Sequence, residues 1–259
     1  MTLIIDPSSN EEQVLSKIIR TKGKSVLEIG CGEGRISKYL STNAHSYFGI
    51  DENQEKLVLA RIKAKNAKFY SQHINNHNYP NSSFEIIIIR HKLHEINMSN
   101  QKEFMKKIYK WLAPGGLLFI IEATPKGEVQ DLFSTAYELK LNEDHHARLS
   151  YSHKIIKAFI HSRYFHKVYE VKYNVAWMFK DAIDLFDTMS KKIPYLNKVE
   201  NNHHYRSIIL EDFGLKLRKK PLMLQNQLII YGLQKTNRKP KKISLFLRRP
   251  KHITDHHIE

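Results

Sequence analysis

The most informative segment of this chain is Val26-Leu27-Glu28-Ile29-Gly30-Cys31-Gly32-Glu33-Gly34. Its first four residues continue a short apolar strand, and the glycines that follow permit the sharp turn with positive φ that leads a strand into a helix. Because these glycines carry no side chains, a ligand can approach their backbone closely. The pattern therefore predicts a strand, a loop and a helix, with a ligand site at the loop.

The spacing of the glycines narrows the kind of ligand. Gly30-x-Gly32-x-Gly34 differs from the Gly-x-Gly-x-x-Gly of dinucleotide folds, and the Gly-Lys-Ser/Thr of a Walker phosphate loop is absent. Glu28 would repel a phosphate but suits the cationic amino-acid end of a sulfonium cofactor. Asp51 ends the next predicted strand, where its carboxylate can accept both hydroxyls of a ribose. The alternative is a tight turn that binds nothing.

Predicted strands and helices alternate over the first half of the chain. Apolar strands are expected at residues 25–29, 46–50, 67–71, 84–90 and 117–122. The segment Ser9-Asn10-Glu11-Glu12 has the form of a capping box and predicts the start of the first helix. This alternation is typical of a doubly wound parallel sheet with helices on both faces.

The second half of the chain is less regular. Residues 144–162 are expected to be helical, 165–179 to contain a strand, and 227–233 to form a closing strand. Residues 180–224 are predicted to form a helical insertion or lid. Residues 235–251 carry eight Lys and Arg and no acid. We therefore expect one domain over residues 1–235 and a flexible basic tail over 236–259.

In order along the chain, five segments resemble motifs of the class I S-adenosylmethionine-dependent methyltransferases. They are Glu28 to Gly34, Asp51, Tyr79-Pro80-Asn81-Ser82-Ser83-Phe84-Glu85, His91-Lys92-Leu93-His94-Glu95-Ile96 and Leu112-Ala113-Pro114-Gly115-Gly116. The resemblance covers roughly residues 26–122. It implies an α/β, Rossmann-like sheet of seven strands, mostly parallel with an antiparallel last strand. It also implies S-adenosylmethionine as the cofactor and S-adenosylhomocysteine as the product.

The resemblance places the cofactor along the ends of the first strands. The residues that it assigns to the cofactor are Glu28, Gly30, Cys31, Gly32, Gly34, Asp51, Glu52, His73, Ile74 and Arg90. One position departs from the family pattern, because many members carry an acid after the third strand that holds the adenine amino group. Here His73 stands at that position, and its side chain or that of Asn75 could accept the hydrogen bond. A degenerate, non-catalytic member is therefore kept as an alternative.

Four histidines are candidates for a general base, which methyl transfer needs only if the acceptor must lose a proton. His91 and His94 follow the 84–90 strand, on the acceptor side of such folds, and His145 and His146 follow the 117–122 strand. The alternative for each is a surface or packing role. The spacing of His91-x-x-His94 would also suit two ligands of one metal ion. No further ligand in the sequence supports a metal site, and we expect none.

Composition narrows the class of acceptor. The chain has 259 residues and 42 Lys and Arg against 26 Asp and Glu, a net charge of +16. Its single cysteine, Cys31, excludes a disulfide scaffold and a zinc ribbon, and lies in the glycine loop rather than free to attack a pyrimidine. No Asn/Asp-Pro-Pro-Tyr/Phe motif follows the 84–90 strand, which argues against methylation of nucleic-acid amines.

These observations favour transfer of a methyl group to an oxygen, nitrogen or carbon atom of a small molecule. Two alternatives use the basic tail: a lipid or quinone methyltransferase at an anionic membrane surface, or an RNA methyltransferase. The chain shows no apolar run long enough to span a bilayer and no signal peptide. We therefore expect a cytoplasmic protein, with peripheral attachment to the membrane as the alternative.

Overall fold

The computed structural model describes residues 4–73, 78–141, 145–238, 240, 241 and 243. The strands are β1 (Ile4–Ile5), β2 (Ser25–Ile29), β3 (Ser46–Asp51), β4 (Lys68–Ser71), β5 (Phe84–Arg90), β6 (Leu112–Ala123), β7 (Phe165–Phe179) and β8 (Leu222–Lys235). The α-helices are α1 (Asn10–Ile18), α2 (Ser37–Leu40), α3 (Gln54–Lys63), α4 (Met98–Trp111), α5 (Glu128–Leu141), α6 (His145–His161), α7 (Ala182–Lys192) and α8 (Val199–Phe213).

The strands form one mixed sheet in the order β1-β7-β8-β6-β5-β2-β3-β4. The five strands from β2 to β6 run parallel, and β8 lies antiparallel between β6 and β7. The antiparallel last strand is confirmed, but the prediction of seven strands was wrong. Ile4 and Ile5 add an eighth strand by pairing antiparallel with Met178 and Trp177. Two residues are too few to show the alternating pattern from which a strand is predicted.

Strand β5 is the centre of the parallel part of the sheet. Ile86 and Ile88 pack into the apolar cluster on one face, and Ile87 and Ile89 into the cluster on the other. All four side chains are buried, as expected for a strand covered by helices on both sides. The carboxyl ends of β2, β3 and β5 therefore meet at one edge of the sheet, which is the edge where α/β proteins bind ligands.

Strands β7 and β8 extend beyond the end of β6. The pairing of β6 with β8 stops at Ala123 and Leu228, whereas β7 and β8 stay paired as far as Phe179 and Leu222. Side chains of α5, α7 and α8 share one apolar cluster with this extension. Residues 180–224 are mostly helical, as predicted, but they contribute to the core; helix α5 was not predicted. That this region acts as a lid stays a prediction.

The start of α1 differs from the predicted capping box. Ser9 has a left-handed backbone with φ of 53° and makes no side-chain cap. Asp6 caps the helix instead, because its Oδ1 accepts from Asn10 N at 2.8 Å and its Oδ2 from Glu11 N at 2.9 Å. The helix therefore starts where the box predicted it, but with a different capping residue.

Some predicted features lie outside the described residues. They are Ile74 and Asn75, and most of the basic tail over 236–259. Within the part of the chain that the structure describes, no helix is both long and apolar enough to cross a membrane. The same part holds no group of three or more His, Cys, Asp and Glu side chains arranged to bind a metal ion.

Candidate active site

The glycine loop between β2 and α2 turns through three glycines with positive φ. The φ angles of Gly30, Gly32 and Gly34 are 80°, 52° and 70°. A methyl group on Gly30 would lie 2.5 Å from Arg90 O, and one on Gly34 would lie 2.8 Å from Ala60 Cα. A methyl group on Gly32 would meet no described atom within 4 Å. Gly30 and Gly34 are therefore fixed by packing, whereas the backbone of Gly32 faces open space.

Asp51, at the end of β3, joins this loop to the next strand. Its Oδ2 accepts from Gly32 N at 3.0 Å, and its Oδ1 accepts from Asn53 N at the same distance. Beside it opens a cleft between the ends of β2, β3, β4 and β5, lined by Ile29, Gly30, Ile50, Asp51, Glu52, Gln72 and Lys92. The glycine loop and Asp51, which were predicted to bind two parts of one ligand, thus lie at a single cleft.

Glu28 is fully buried on β2. Its Oε2 accepts from Ser37 Oγ and from Tyr47 Oη at 2.8 Å. Burial raises the pKa of the carboxyl, although the hydrogen bonds from Ser37 and Tyr47 favour its charged form. Its second oxygen, Oε1, accepts no hydrogen bond from the described residues. Since this oxygen is itself buried, the role predicted for Glu28 at the cofactor stays a prediction.

The other predicted cofactor residues differ in how they face the cleft. Cys31 packs its side chain against α3 and Phe69, and burial raises the pKa of its thiol, so only its backbone belongs to the loop surface. Glu52 lines the cleft, and His73 Nε2 lies 4.0 Å from Glu52 Oε1. Arg90 is not free at the end of β5, because it forms an ion pair with Glu11 of α1.

His94 and Glu122 form a hydrogen-bonded pair just beyond the ends of β5 and β6. His94 Nδ1 lies 2.6 Å from Glu122 Oε2, and Glu122 Oε1 accepts from Leu93 N at 2.8 Å. Glu122 is fully buried, whereas 16% of the His94 side chain is exposed. Since the carboxylate can only accept, the proton of a neutral His94 lies on Nδ1. Nε2 makes no hydrogen bond to any residue that the structure describes and can act as a base.

Burial and the carboxylate act against each other on the pKa of His94. Burial disfavours the imidazolium, but the adjacent Glu122 carboxylate outweighs burial and raises the pKa of His94 above its usual value. The reciprocal effect holds the pKa of the buried Glu122 below its usual value. Glu122 thus orients the ring of His94 and stabilises its protonated form, which is the arrangement found where a histidine acts as a general base.

Of the other histidines predicted as catalytic, the structure brings only His145 next to His94. Their rings meet edge to face with centroids 5.7 Å apart, and the His145 ring stacks on Tyr137 at 5.5 Å. Burial lowers the pKa of His145 to about 3, so its ring is neutral. His91 lies 3.7 Å from Glu11, and His146 lies 3.2 Å from Asp131. These last two histidines face other carboxylates.

Several residues of this site were not predicted from the sequence. Glu122 ends the apolar run of β6, and a carboxylate at the end of a buried strand was a signal that could have found it. Lys92 lines the cleft, and its Nζ lies 2.5 Å from Glu95 Oε2. Gln72 lines the cleft beside it. For Lys92 and Gln72 the sequence held no local signal, because both follow strands as ordinary polar residues.

Replacing each of two loop glycines with alanine should separate stability from binding. Gly34→Ala should lower the free energy of unfolding by about 2 kcal/mol or more, because a methyl group would collide with Ala60 and force the backbone. Gly32→Ala should cost only about 1 kcal/mol, from its positive φ. Yet it should weaken binding of S-adenosylhomocysteine at least about tenfold, since a methyl group would cover the open backbone.

Urea unfolding and calorimetric titration of the two alanine variants would measure both effects. Binding by Gly32→Ala as tight as that of the unmodified chain would place the ligand elsewhere.

Comparison with known proteins agrees with this geometry. Residues 26–116 match the family model of a methyltransferase domain. The phosphoethanolamine N-methyltransferase of Plasmodium falciparum is 30% identical over 129 residues, which are 47% of this chain and 48% of the relative. Phthiotriol/phenolphthiotriol dimycocerosates methyltransferase 1 of Mycobacterium ulcerans is 27% identical over 117 residues, 44% and 42% of the two chains. The chain thus matches these relatives over about half of their length.

Solved structures show the same fold over most of the chain. A methyltransferase structure from Bacillus halodurans C-125 has a TM-score of 0.63 at 15% identity and covers 88% of this chain and 99% of its own. The N-methyltransferase NodS from Bradyrhizobium japonicum, solved with S-adenosylhomocysteine, has a TM-score of 0.53 at 14% identity, with coverage of 89% and 88%. Residues 26–116 thus match a methyltransferase domain, and the chain shares the fold of these solved structures.

Proposed function

We propose that this protein transfers a methyl group from S-adenosylmethionine to an oxygen, nitrogen or carbon atom of a small molecule, and that His94 removes the proton which that atom carries. The observation that carries the proposal is the His94–Glu122 pair at the ends of β5 and β6. The ends of these strands lie at the same edge of the sheet as Asp51 and the glycine loop. A base and a cofactor cleft at one edge are what such a reaction requires.

The residues of the cleft fit the cofactor. The Asp51 carboxylate, which lines the cleft, would accept from its ribose hydroxyls, and the open backbone of Gly32, hydrogen-bonded to Asp51, would face it. When bound, S-adenosylmethionine supplies a methyl group on a positively charged sulfur, which a nucleophile displaces in line. Asp51 already orders the loop through Gly32 N, which reduces the ordering that binding would require.

His94 supplies the proton acceptor. Its Nδ1–H donates to Glu122, which fixes the tautomer that leaves a lone pair on Nε2. His94 Nε2 takes the proton from the oxygen, nitrogen or carbon atom of the acceptor as this atom attacks the methyl group. Glu122 then stabilises the imidazolium, because its buried carboxylate keeps the negative charge beside the ring. The neutral ring of His145 covers one side of His94 without competing for the proton.

The choice of acceptor follows from this chemistry and from the names of two relatives. One relative is named as an N-methyltransferase of phosphoethanolamine and the other as a methyltransferase of phthiotriol and phenolphthiotriol dimycocerosates. Amines and hydroxyls both lose a proton on methylation. A panel of amines, phenols and lipid hydroxyls in mixed micelles, assayed with labelled S-adenosylmethionine, would rank them. The net charge of +16 favours anionic acceptors over cationic ones.

Substituting Asp51 tests the cofactor site. Asp51→Asn should weaken binding of S-adenosylhomocysteine by about 10- to 100-fold, since the charged hydrogen bonds to the ribose are lost. Glu33→Gln is the matched control, because it removes one carboxylate from the same loop at an exposed position. Calorimetric titration of the two variants measures the difference. If Asp51→Asn and Glu33→Gln bind S-adenosylhomocysteine equally well, Asp51 does not contact the cofactor.

A further inference from the structure

Arg148, on the first turn of α6, contacts the backbone that carries His94. Its Nε donates to His94 O at 3.1 Å, and its Nη2 donates to Glu95 O at 3.1 Å. The fixed fork of a guanidinium can bind two successive carbonyls in this way, whereas an ammonium cannot hold both with the same geometry. The segment after β5 is therefore tied to α6 at the very residue that we assign as the base.

The opposite side of the same segment is tied to β6. Glu122 accepts from Leu93 N at 2.8 Å and from the His94 ring at 2.6 Å. Residues 93–95 are thus held between a buried carboxylate of β6 and a guanidinium of α6. Neither strand β5 nor a helix fixes these residues, because β5 ends at Arg90 and α4 begins at Met98. These two contacts, together with turn hydrogen bonds from Glu95 N to Lys92 O and from Ile96 N to Leu93 O, therefore hold the His94 segment in place.

We propose that Arg148 is a positioning residue for methyl transfer: by holding the carbonyls of His94 and Glu95, it keeps His94 Nε2 at the place where the acceptor loses its proton. This inference rests on the proposed role of His94. Arg148 acts through the backbone of that residue and makes no contact with the reacting atoms in this assignment. A displacement of the base by about 1 Å is enough to lower a rate about 100-fold.

Arg148 also acts on His94 through its charge. The positive guanidinium lowers the pKa of His94, whereas Glu122 and Glu95 raise it. The titratable and charged groups around the ring are Glu122 of β6, Glu95 of the same segment, and Arg148, His145 and His153 of α6. Position and charge are separable, because lysine keeps the charge of Arg148 and glutamine does not.

Two substitutions of Arg148 test the inference by steady-state kinetics as a function of pH. Arg148→Lys should lower kcat about 10- to 100-fold and leave the pH at which activity rises unchanged. Arg148→Gln should lower kcat similarly and also move that rise upward by roughly half a pH unit, because the base then loses a nearby positive charge. Affinity for S-adenosylhomocysteine should stay within about threefold in both.

The matched control is Lys154→Gln, which removes one positive charge from an exposed position of the same helix and should leave kcat and the pH profile unchanged. A merely structural role would lower kcat of both Arg148 variants only as far as thermal unfolding reduces the folded fraction. That result would overturn the inference.

Measuring kcat of His94→Gln distinguishes this inference from the proposed function. If His94→Gln retains normal kcat, the proposed base is wrong, whatever Arg148 does. If His94→Gln loses activity while both Arg148 variants keep it, the base stands and the positioning role of Arg148 is refuted.

Discussion

Replacing His94 with glutamine is expected to lower kcat by about 10²- to 10⁴-fold, the usual contribution of a general base. Glutamine can still donate to Glu122, so the buried carboxylate keeps a partner and the fold is retained. The cofactor cleft is lined by other residues, and affinity for S-adenosylhomocysteine should therefore stay unchanged. Transfer of labelled methyl groups to the best acceptor of the panel measures kcat, and calorimetry measures affinity.

The control for His94 is His146→Gln, which alters a histidine that faces Asp131 instead. It should leave kcat within about twofold. A chain that keeps its full rate with glutamine at position 94 would show that the acceptor needs no base, or that another residue provides it.

Glu122 should set the pH at which kcat rises. His94 is active when neutral, so activity rises as pH increases through its pKa, which Glu122 holds above the ordinary value of about 6.5. Glu122→Gln removes the carboxylate that favours the protonated ring, and the rise in activity should then move to lower pH while the maximal rate falls. If Glu122→Gln leaves the pH profile of kcat unchanged, the ionisation that this profile reports belongs to a group other than His94.

Replacing Glu11 with glutamine is expected to destabilise the fold by about 3–5 kcal/mol, the cost of leaving a buried charge without its partner. Glu11 Oε2 lies 2.7 Å from Arg90 Nη2 and its Oε1 lies 3.1 Å from Arg90 Nε, while Tyr173 Oη donates to the same carboxylate. The side chain of Glu11 is only 2% exposed. Urea unfolding followed by circular dichroism measures the loss.

The double variant Glu11→Met, Arg90→Met is the control for the Glu11 prediction. Removing both charges leaves no unpaired ion, so this variant should recover most of the lost stability. A double variant as unstable as Glu11→Gln would assign the loss to packing rather than to charge.

The Glu11–Arg90 pair also predicts how stability changes in acid. Burial would raise the pKa of Glu11, but Arg90 outweighs it and holds this pKa well below the usual range. The stabilisation is therefore complete above the unfolded pKa of about 4.3 and is lost as pH falls through the lower folded pKa. Stability of Glu11→Gln should consequently change less with pH in this range than that of the unmodified chain.

The sequence predicted the parallel part of the fold because local patterns carry it. Glu28 to Gly34 showed both the strand and the turn, and the four isoleucines of β5 showed a strand buried on both faces. Strand β1 and helix α5 were missed. A two-residue strand exists only because β7 offers it an edge to pair with, and that edge is more than 170 residues away.

Contacts within the site could not be predicted from local patterns either. His94 was one of four candidate histidines, and only the fold shows that Glu122 lies 2.6 Å from it. No local pattern singled out Glu11, which the fold pairs with Arg90, 79 residues later. In each case the deciding partner is remote in sequence, and no spacing rule brings the two together.

The anchoring of the amino-terminal segment sets an order in which the site can be completed during synthesis. Arg35 holds Asp6 on the glycine-loop side, but β1 also needs β7, and Glu11 needs Tyr173. The ribosome delivers β7 long after β1 and α1, so Ile4, Ile5 and Glu11 are made well before their native partners on β7. A nascent chain halted before residue 165 would hold the glycine loop and Arg90, yet it would lack the strand against which its own beginning is fixed.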